Sequence, residues 1–452
     1  MIIQCLERNE SLFFIGIGGI SMSALAEFLS VNGYSVAGFD DNDGENIARL
    51  TKKGVAVFVK KLNEKVYDKL EKASVIVYTD AISTDHPLFQ TAKTKGKLML
   101  SRAELLGEIC AGFPYSIGIS GSHGKTTCSA MTARALDGVN AKFTAHIGGI
   151  DGVLGNFCAK GEEFFVSECC EYKKNLLKVP CEVAVVLNID LDHMECYQNE
   201  EELVDTFRRF CNSAKRAFVC ADDERCLSLG DFVTFGINNQ FADYRAVNLK
   251  EVGKGYHFTV QEYGKDLCKI RLKSKGIHNV YNALAAFAVV RSYGFNEKEI
   301  VKALEEFSGV KRRFEVIGNY NGATCICDYA HHPKEIAATI QTAGGIDGNR
   351  LFVIFQPHTY SRTKLLMKEF VNVLRKVENL AIYKTYAARE FYDEAGSAKT
   401  LSENVGGCLY IENMRELKSW LKRNARAGDT VLFLGAGDIY FIAERIVKKI
   451  NK

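Results

Sequence analysis

Gly118-Ile-Ser-Gly-Ser-His-Gly-Lys-Thr-Thr127 is the stretch that decides how this chain is read. Ahead of it, Tyr115-Ser-Ile-Gly-Ile119 is apolar enough for a short buried strand. Behind it, Cys128 to Leu136 (CSAMTARAL) has the composition of a helix. Strand, glycine-rich loop, Lys-Thr and helix together form the architecture that holds a nucleoside triphosphate. Gly121 and Gly124 let backbone N–H groups close around phosphate oxygens, and the helix start adds positive potential. Lys125 is placed to reach the β- and γ-phosphates, and the Thr126 hydroxyl to sit on Mg²⁺. One position departs from the full pattern G-x-x-x-x-G-K-[ST], whose first glycine falls on Ile119. The competing reading is a glycine-rich turn in front of a purely structural helix. The context favours ATP or GTP, held by Gly121, Ser122, His123, Gly124, Lys125, Thr126 and Thr127.

Working outward from that loop, the chain alternates strands and helices, which predicts doubly wound parallel sheets. At 452 residues it is too long for one core, and size alone suggests about three domains. The first, 1–112, opens with a strand at Leu12–Gly16, a glycine turn and a helix from Met22 to Val31. Strands at Tyr34–Phe39 and Val75–Tyr78 follow, and Gly112-Phe-Pro114 marks the boundary. The second, 113–309, adds strands at Glu163–Val166, Val183–Ile189 and Ala217–Val219. It also has a hairpin around Tyr263-Gly-Lys265 and a long helix at Asn279–Ser292. The third, 310–452, alternates strands at Thr324–Cys327, Leu351–Phe355 and Thr430–Leu434 with helices at Pro333–Ala343 and Thr363–Leu374 and a final helix.

Composition narrows the class. Hydrophobic residues make up 47% and charged residues 25%, the balance of a soluble globular enzyme. A net charge of +3 announces no basic face, so no nucleic-acid partner is expected. The opening MIIQCLERNE carries acids and lacks a long apolar core, and no run is long enough to span a bilayer. A cytoplasmic protein without membrane contact is the expectation. The 15 cysteines are scattered and form no C-x-x-C pair, so most read as small buried apolar residues in a reducing compartment.

Gly16-Ile-Gly18-Gly19-Ile20-Ser21 follows a strand and opens a helix, as in G-x-G-x-x-G, with serine in the third glycine's place. Such a loop suits a pyrophosphate, and Asp40 at the next strand end suits ribose hydroxyls. NAD, a nucleotide-sugar and a purely structural turn are all admissible here. A second glycine loop, Gly435-Ala-Gly437-Asp438, reads as a strand-to-helix turn.

Several further motifs follow in order: Arg102-Ala-Glu-Leu-Leu106, Asn188-Ile-Asp-Leu-Asp-His-Met194, His278-Asn279 with Asn282, and Gly309-Val-Lys-Arg-Arg-Phe314. Then come Asp328-Tyr-Ala-His-His-Pro333, Gln356-Pro-His-Thr-Tyr-Ser-Arg-Thr363 and Tyr386-Ala-Ala-Arg-Glu390. With the two glycine loops, these make the chain resemble the Mur ligases, the ATP-dependent amide-bond-forming enzymes of peptidoglycan synthesis. The resemblance runs almost end to end, and the family's phosphate loop lacks the early glycine, which accounts for Ile119. It implies three α/β domains: a Rossmann-like UDP-binding domain, a central P-loop ATPase-type domain and a C-terminal Rossmann-like domain. It also implies ligation of L-alanine to the lactyl carboxylate of UDP-N-acetylmuramate through an acyl phosphate, with joining of a preformed peptide as the alternative.

Residue by residue, the resemblance assigns Gly16, Gly18, Gly19, Ile20, Ser21 and Asp40 to the UDP-substrate. Lys125, Glu168 and His193 become catalytic, with Thr126, Glu168 and His193 holding Mg²⁺. His278, Asn279, Asn282, Arg313 and Asp328 join the ATP site. His331, His332, His358 and Arg362 face the muramoyl group and the amino acid. Without the resemblance, Glu168 would be a solvated strand end, His193 a satisfied polar residue and Arg312-Arg313 a solvated linker pair. Cys170 and Thr359 depart from acidic and arginine residues often found at those places. Small-molecule substrates and a monomer or weak homodimer complete the expectation. An NAD-dependent oxidoreductase and a non-catalytic nucleotide switch are the rivals; the first leaves the phosphate loop unexplained, and the second is opposed by intact Lys125, Thr126, Glu168 and His193.

Overall fold

Strand Ser11–Ile15 (SLFFI) is buried from Leu12 onward because helices cover both faces of its sheet, and a parallel strand so covered reads as a continuous apolar run. The protein is seen here as a computed structural model that describes residues 10–191, 194–253, 255–344, 350–388 and 390–448. From edge to edge the first sheet runs Ala56–Val59, Ser35–Asp40, Ser11–Ile15, Val75–Tyr78, Leu98–Ser101, all parallel. Strand order reverses at Ser11–Ile15, and a doubly wound sheet binds ligands in the crevice beyond such a switch. Gly16-Ile-Gly-Gly19 occupies that place and leads into helix Ile20–Val31.

The second sheet has ten strands. Tyr115–Ser120 lies inside it, between Val183–Val186 and Phe164–Glu168, parallel to both. Helix Lys125–Gly138 packs against helix Ile277–Arg291, and both are buried almost all round, as their lack of a polar face requires. The expected hairpin is present as antiparallel Gly255–Glu262 and Lys265–Leu272. Contacts group both sheets into one compact unit, Met1–Ser308. Inside it, helix Ile20–Val31 lies on strands Phe143–Asp151 and Gly155–Ala159, with the Phe28 and Phe157 rings edge to face at 6.1 Å.

The other unit, Gly309–Lys452, carries a six-stranded sheet. Strand Glu315–Tyr320 is antiparallel at one edge. Ala323–Asp328, Thr430–Leu434, Leu351–Phe355, Asn379–Tyr383 and Leu409–Ile411 follow in parallel.

Two expected elements differ. The strand expected over Val183–Ile189 stops at Val186, because the residues beyond it leave the ladder to bond the phosphate loop. The helix expected over Thr363–Leu374 is two helices, Tyr360–Leu365 and Met367–Leu374. They are broken at Leu366, whose φ of −103° and ψ of 22° are not helical. Among the described residues nine free cysteines are buried, and burial pushes thiols such as Cys128 up to about 12, which leaves them inert packing groups. Among the described residues no helix is long and apolar enough to cross a membrane.

Candidate active site

The phosphate loop is held open from behind. Gly121 (φ +127°) and Gly124 (φ +88°) take left-handed conformations that L side chains avoid. A Cβ on Gly124 would lie 2.6 Å from Asn282 Oδ1. Ser122 N donates to Asn188 O at 3.0 Å and His123 N to Asn188 Oδ1 at 2.8 Å, while Asn188 Nδ2 returns to His123 O at 3.0 Å. Asp190 N donates to Ser122 Oγ at 2.8 Å, and Asp190 Oδ2 lies 2.9 Å from His123 Nε2. No side chain caps helix Lys125–Gly138, so its first turn presents backbone donors as an anion site does. The two glycines, the uncapped helix start and a lysine at its first position fit a nucleotide's phosphates.

Lys125 folds over this loop. Its ammonium donates to Gly121 O and Ser122 O and lies 3.0 to 3.1 Å from the two Glu171 carboxylate oxygens. Glu171 is 1% exposed. Burial alone would pull the Lys125 ammonium down, but the Glu171 carboxylate outweighs it and holds it well above the ordinary lysine value. Glu171, which the resemblance matches to a further acidic position after Glu168 without assigning it a role, is therefore the anchor of the lysine. Its acidic type between two candidate ligand segments was the available signal. Tyr197 in turn donates its hydroxyl to Glu171 O. Burial, then the neighbouring Glu171, pushes the Cys170 thiol up to about 11, so this departure adds no anion to the turn.

Glu168 ends strand Phe164–Glu168, and its Oε1 accepts from Gly148 N at 3.0 Å. Thr126 is buried at the helix start. A hydroxyl and a carboxylate are the hard oxygen donors magnesium prefers. His193 lies outside the described residues, and among those described no three His, Cys, Asp or Glu gather as a metal site. The structure joins Asn279 to Asn282, Nδ2 of Asn282 donating to Asn279 Oδ1 at 3.2 Å; both are buried, and Asn282 lies beside Gly124. His278 stays exposed, packed close to Gly276.

In the first glycine loop, Gly16 N and Ile17 N both donate to Phe39 O, at 2.8 and 3.2 Å. Asp40 closes the loop: its Oδ2 accepts from Gly18 N at 2.8 Å and its Oδ1 from Asn42 N at 3.0 Å. Its carboxylate thus orders the turn itself, beside any ribose contact.

In the C-terminal unit the expected residues collect at the C-terminal ends of the parallel strands. Asp328 accepts from Phe314 N and Ala330 N, both at 2.7 Å, and burial, opposed by Arg313, holds its carboxyl above the usual range. The His331 and His358 rings meet edge to face at 5.9 Å, and His358 stacks on Tyr386 at 5.6 Å. Burial lowers both imidazoles to about 4, with Arg362 adding to the effect in each, so both are neutral at physiological pH. Glu335 accepts from His331 N and His332 N at 3.1 and 3.3 Å. Arg312 lies among the Tyr329, Tyr440 and Phe441 rings and donates to Gly437 O at 2.8 Å, which makes it a structural brace. Arg312 (φ +63°), Phe314 (φ +49°) and Thr359 (φ +65°) are left-handed non-glycine residues, and such strain concentrates at functional sites. Gly435-Ala-Gly437-Asp438 is braced by Gln356, whose Nε2 donates to Asp438 Oδ1 at 2.7 Å.

Comparison with known proteins places this architecture. The Mur ligase family catalytic domain model matches residues 12–114, the Mur ligase middle domain 119–290, and the Mur ligase glutamate ligase domain 312–437. The chain belongs to the Mur ligase family, whose members are ATP-dependent ligases. Within it, the chain is 37% identical to the UDP-N-acetylmuramate–L-alanine ligase of Acetivibrio thermocellus, over 99% of this chain and 98% of that protein. It is also 37% identical to the same-named ligase of Caldanaerobacter subterraneus, over 99% of each. The crystal structure of the UDP-N-acetylmuramate-alanine ligase of Thermotoga maritima superposes with a TM-score of 0.83 at 28% identity, covering 98% of this chain and 99% of that one. A murein peptide ligase from Psychrobacter arcticus shares the fold, with a TM-score of 0.76 at 20% identity over 98% and 99% of the two chains.

Proposed function

We propose that this chain ligates L-alanine to the lactyl carboxylate of UDP-N-acetylmuramate, giving UDP-N-acetylmuramoyl-L-alanine, ADP and phosphate in peptidoglycan precursor synthesis. The observation that carries the reading is 37% identity along the whole chain to L-alanine ligases, combined with a phosphate loop whose lysine is anchored by buried Glu171. We read the chain as three domains, 1–112, 113–309 and 310–452, acting in the cytoplasm as a monomer or weak homodimer.

An acyl phosphate route needs charge neutralisation and positioning more than a covalent nucleophile. Lys125, held by Glu171, neutralises charge on the transferring phosphoryl group while the helix-start N–H groups cradle its neighbours. Mg²⁺, when bound, supplies further neutralisation, with Thr126 and Glu168 as its oxygen donors and His193 added on the family motif. His278, Asn279, Asn282, Arg313 and Asp328 are assigned to ATP on their motifs, and the contact of Asn282 with the Gly124 turn supports its share of that assignment. The glycine loop with Ser21 takes the UDP-substrate. Arg362 reads the alanine carboxylate; His331 and His358, neutral at physiological pH, add no positive charge beside the incoming amine, and the proton the amine releases as the amide forms goes to the departing phosphate.

A pocket for one methyl group discriminates by only about 1–3 kcal/mol, so leakage to glycine and L-serine is expected. Purified protein should release ADP with UDP-N-acetylmuramate and L-alanine, more weakly with glycine or L-serine, and hardly with a tripeptide. A higher kcat/KM for the tripeptide would transfer the assignment to peptide joining.

A further inference from the structure

Ser21 stands where a third glycine would complete the first loop, and its hydroxyl reaches the second sheet. Ser21 Oγ lies 2.8 Å from His146 Nε2, and His146 Nδ1 lies 3.0 Å from Ser167 Oγ. At one end Arg102 Nη1 donates to Ser21 Oγ at 3.3 Å; at the other Ser167 Oγ donates to Glu168 O at 3.2 Å. His146 is 2% exposed and Ser167 fully buried. Two residues beyond His146 on the same strand, Gly148 N holds the Glu168 carboxylate at 3.0 Å. One strand therefore grips the UDP-substrate loop with one residue and the carboxylate proposed for the ATP-side metal with another.

The proton directions follow from donor chemistry. A guanidinium only donates, so Ser21 accepts from Arg102 and keeps its own proton available for Nε2. Nδ1–H then donates to Ser167, whose proton goes to Glu168 O. A single neutral tautomer satisfies all four links in one direction. Burial, with Arg102 nearby, lowers the His146 imidazole to about 3, which is consistent with that neutral form.

We infer that His146, as the Nδ1–H tautomer, is a positioning residue that sets the UDP-substrate loop in register with the strand end bearing Glu168. The inference rests on the ligase reading above. Misplacing reacting groups by about an ångström costs rate far more than binding. His146→Ala should lower kcat about 10- to 100-fold, while calorimetric Kd values for UDP-N-acetylmuramate and for an ATP analogue stay within about threefold. His146→Gln, which can keep the Ser21 link, and His146→Asn, which can keep the Ser167 link, should each recover part of the loss.

A lowered Tm with unchanged kcat per folded molecule would mean the network is only structural and would overturn the inference. Should His146→Ala fail to fold, ¹⁵N NMR of the wild-type protein decides: Nδ1 protonated and Nε2 bare between pH 5 and 8 is expected. The opposite tautomer or an imidazolium overturns it. Wild-type protein inactive toward L-alanine would count against the ligase reading and leave the tautomer result to stand by itself.

Discussion

Lys125, proposed to act on the transferring phosphate, is held in the structure as one half of a pair with Glu171. Lys125→Ala should reduce ADP formation at least about 10²-fold, since a preorganised charge at a transferring phosphate is lost. It also strands the Glu171 carboxylate, 1% exposed, without its cation. Breaking a buried pair costs about 3–5 kcal/mol, so this variant should melt well below the wild type. The double variant Lys125→Ala/Glu171→Gln should recover much of the Tm and none of the turnover. Equal melting of the single and double variants would show that Glu171 does not depend on its lysine. His331 and His358 make a pH prediction. Their imidazoles sit at about 4 when folded, against about 6.5 unfolded. Between those values the unfolded chain binds more protons, so stability falls as pH drops from about 6.5 to 4 and is unaffected by them above that window. Chemical denaturation against pH should show this slope, flattened in His358→Gln; an unchanged slope in that variant would rule His358 out as its source.

Element ends carry the site. A helix start without a cap, a strand ending at Glu168 and the segment after Val186 meet around the four loop residues 121–124, and each gives up regular pairing to do so. Gly148 is the element-scale test. A Cβ there would lie 2.1 Å from Glu168 Oε1, although its backbone is open to any residue. Gly148→Ala should displace the carboxylate and lower turnover at least about tenfold, consistent with the sensitivity of rate to small misplacement. Its Tm should change little, and the Mg²⁺ concentration giving half-maximal rate should rise. Unaltered Mg²⁺ dependence would remove Glu168 from the metal assignment.

At the scale of the molecule, the first two sheets are one unit and the third is another. Within the first unit, the junction of its two sheets is polar as well as aromatic: Arg49 donates to Asn156 Oδ1, and Asn156 Nδ2 donates to Ile20 O at 2.8 Å. Unfolding should therefore not be two-state. Calorimetry should resolve two transitions, and UDP alone should raise only the one belonging to Met1–Ser308, by mass action on its folded form. Equal shifts of both transitions, or a single one, would contradict the division.

The amino-acid order by itself determined the elements and the chemistry that depends on local spacing. Strand, glycine loop and helix around Lys125 are adjacent in sequence, so periodicity and turn residues expose them, as they do the first glycine loop and the Tyr263-Gly-Lys265 hairpin. Tertiary structure alone decided what those residues touch. Glu171 is 46 positions from Lys125, and His146 is 125 from Ser21. No local pattern encodes such pairs, because sheet order brings them together only after the crossovers are made. The same reason hid the early end of the strand at Val186, where local preference yielded to the bonds that Leu187 and Asn188 make around the phosphate loop.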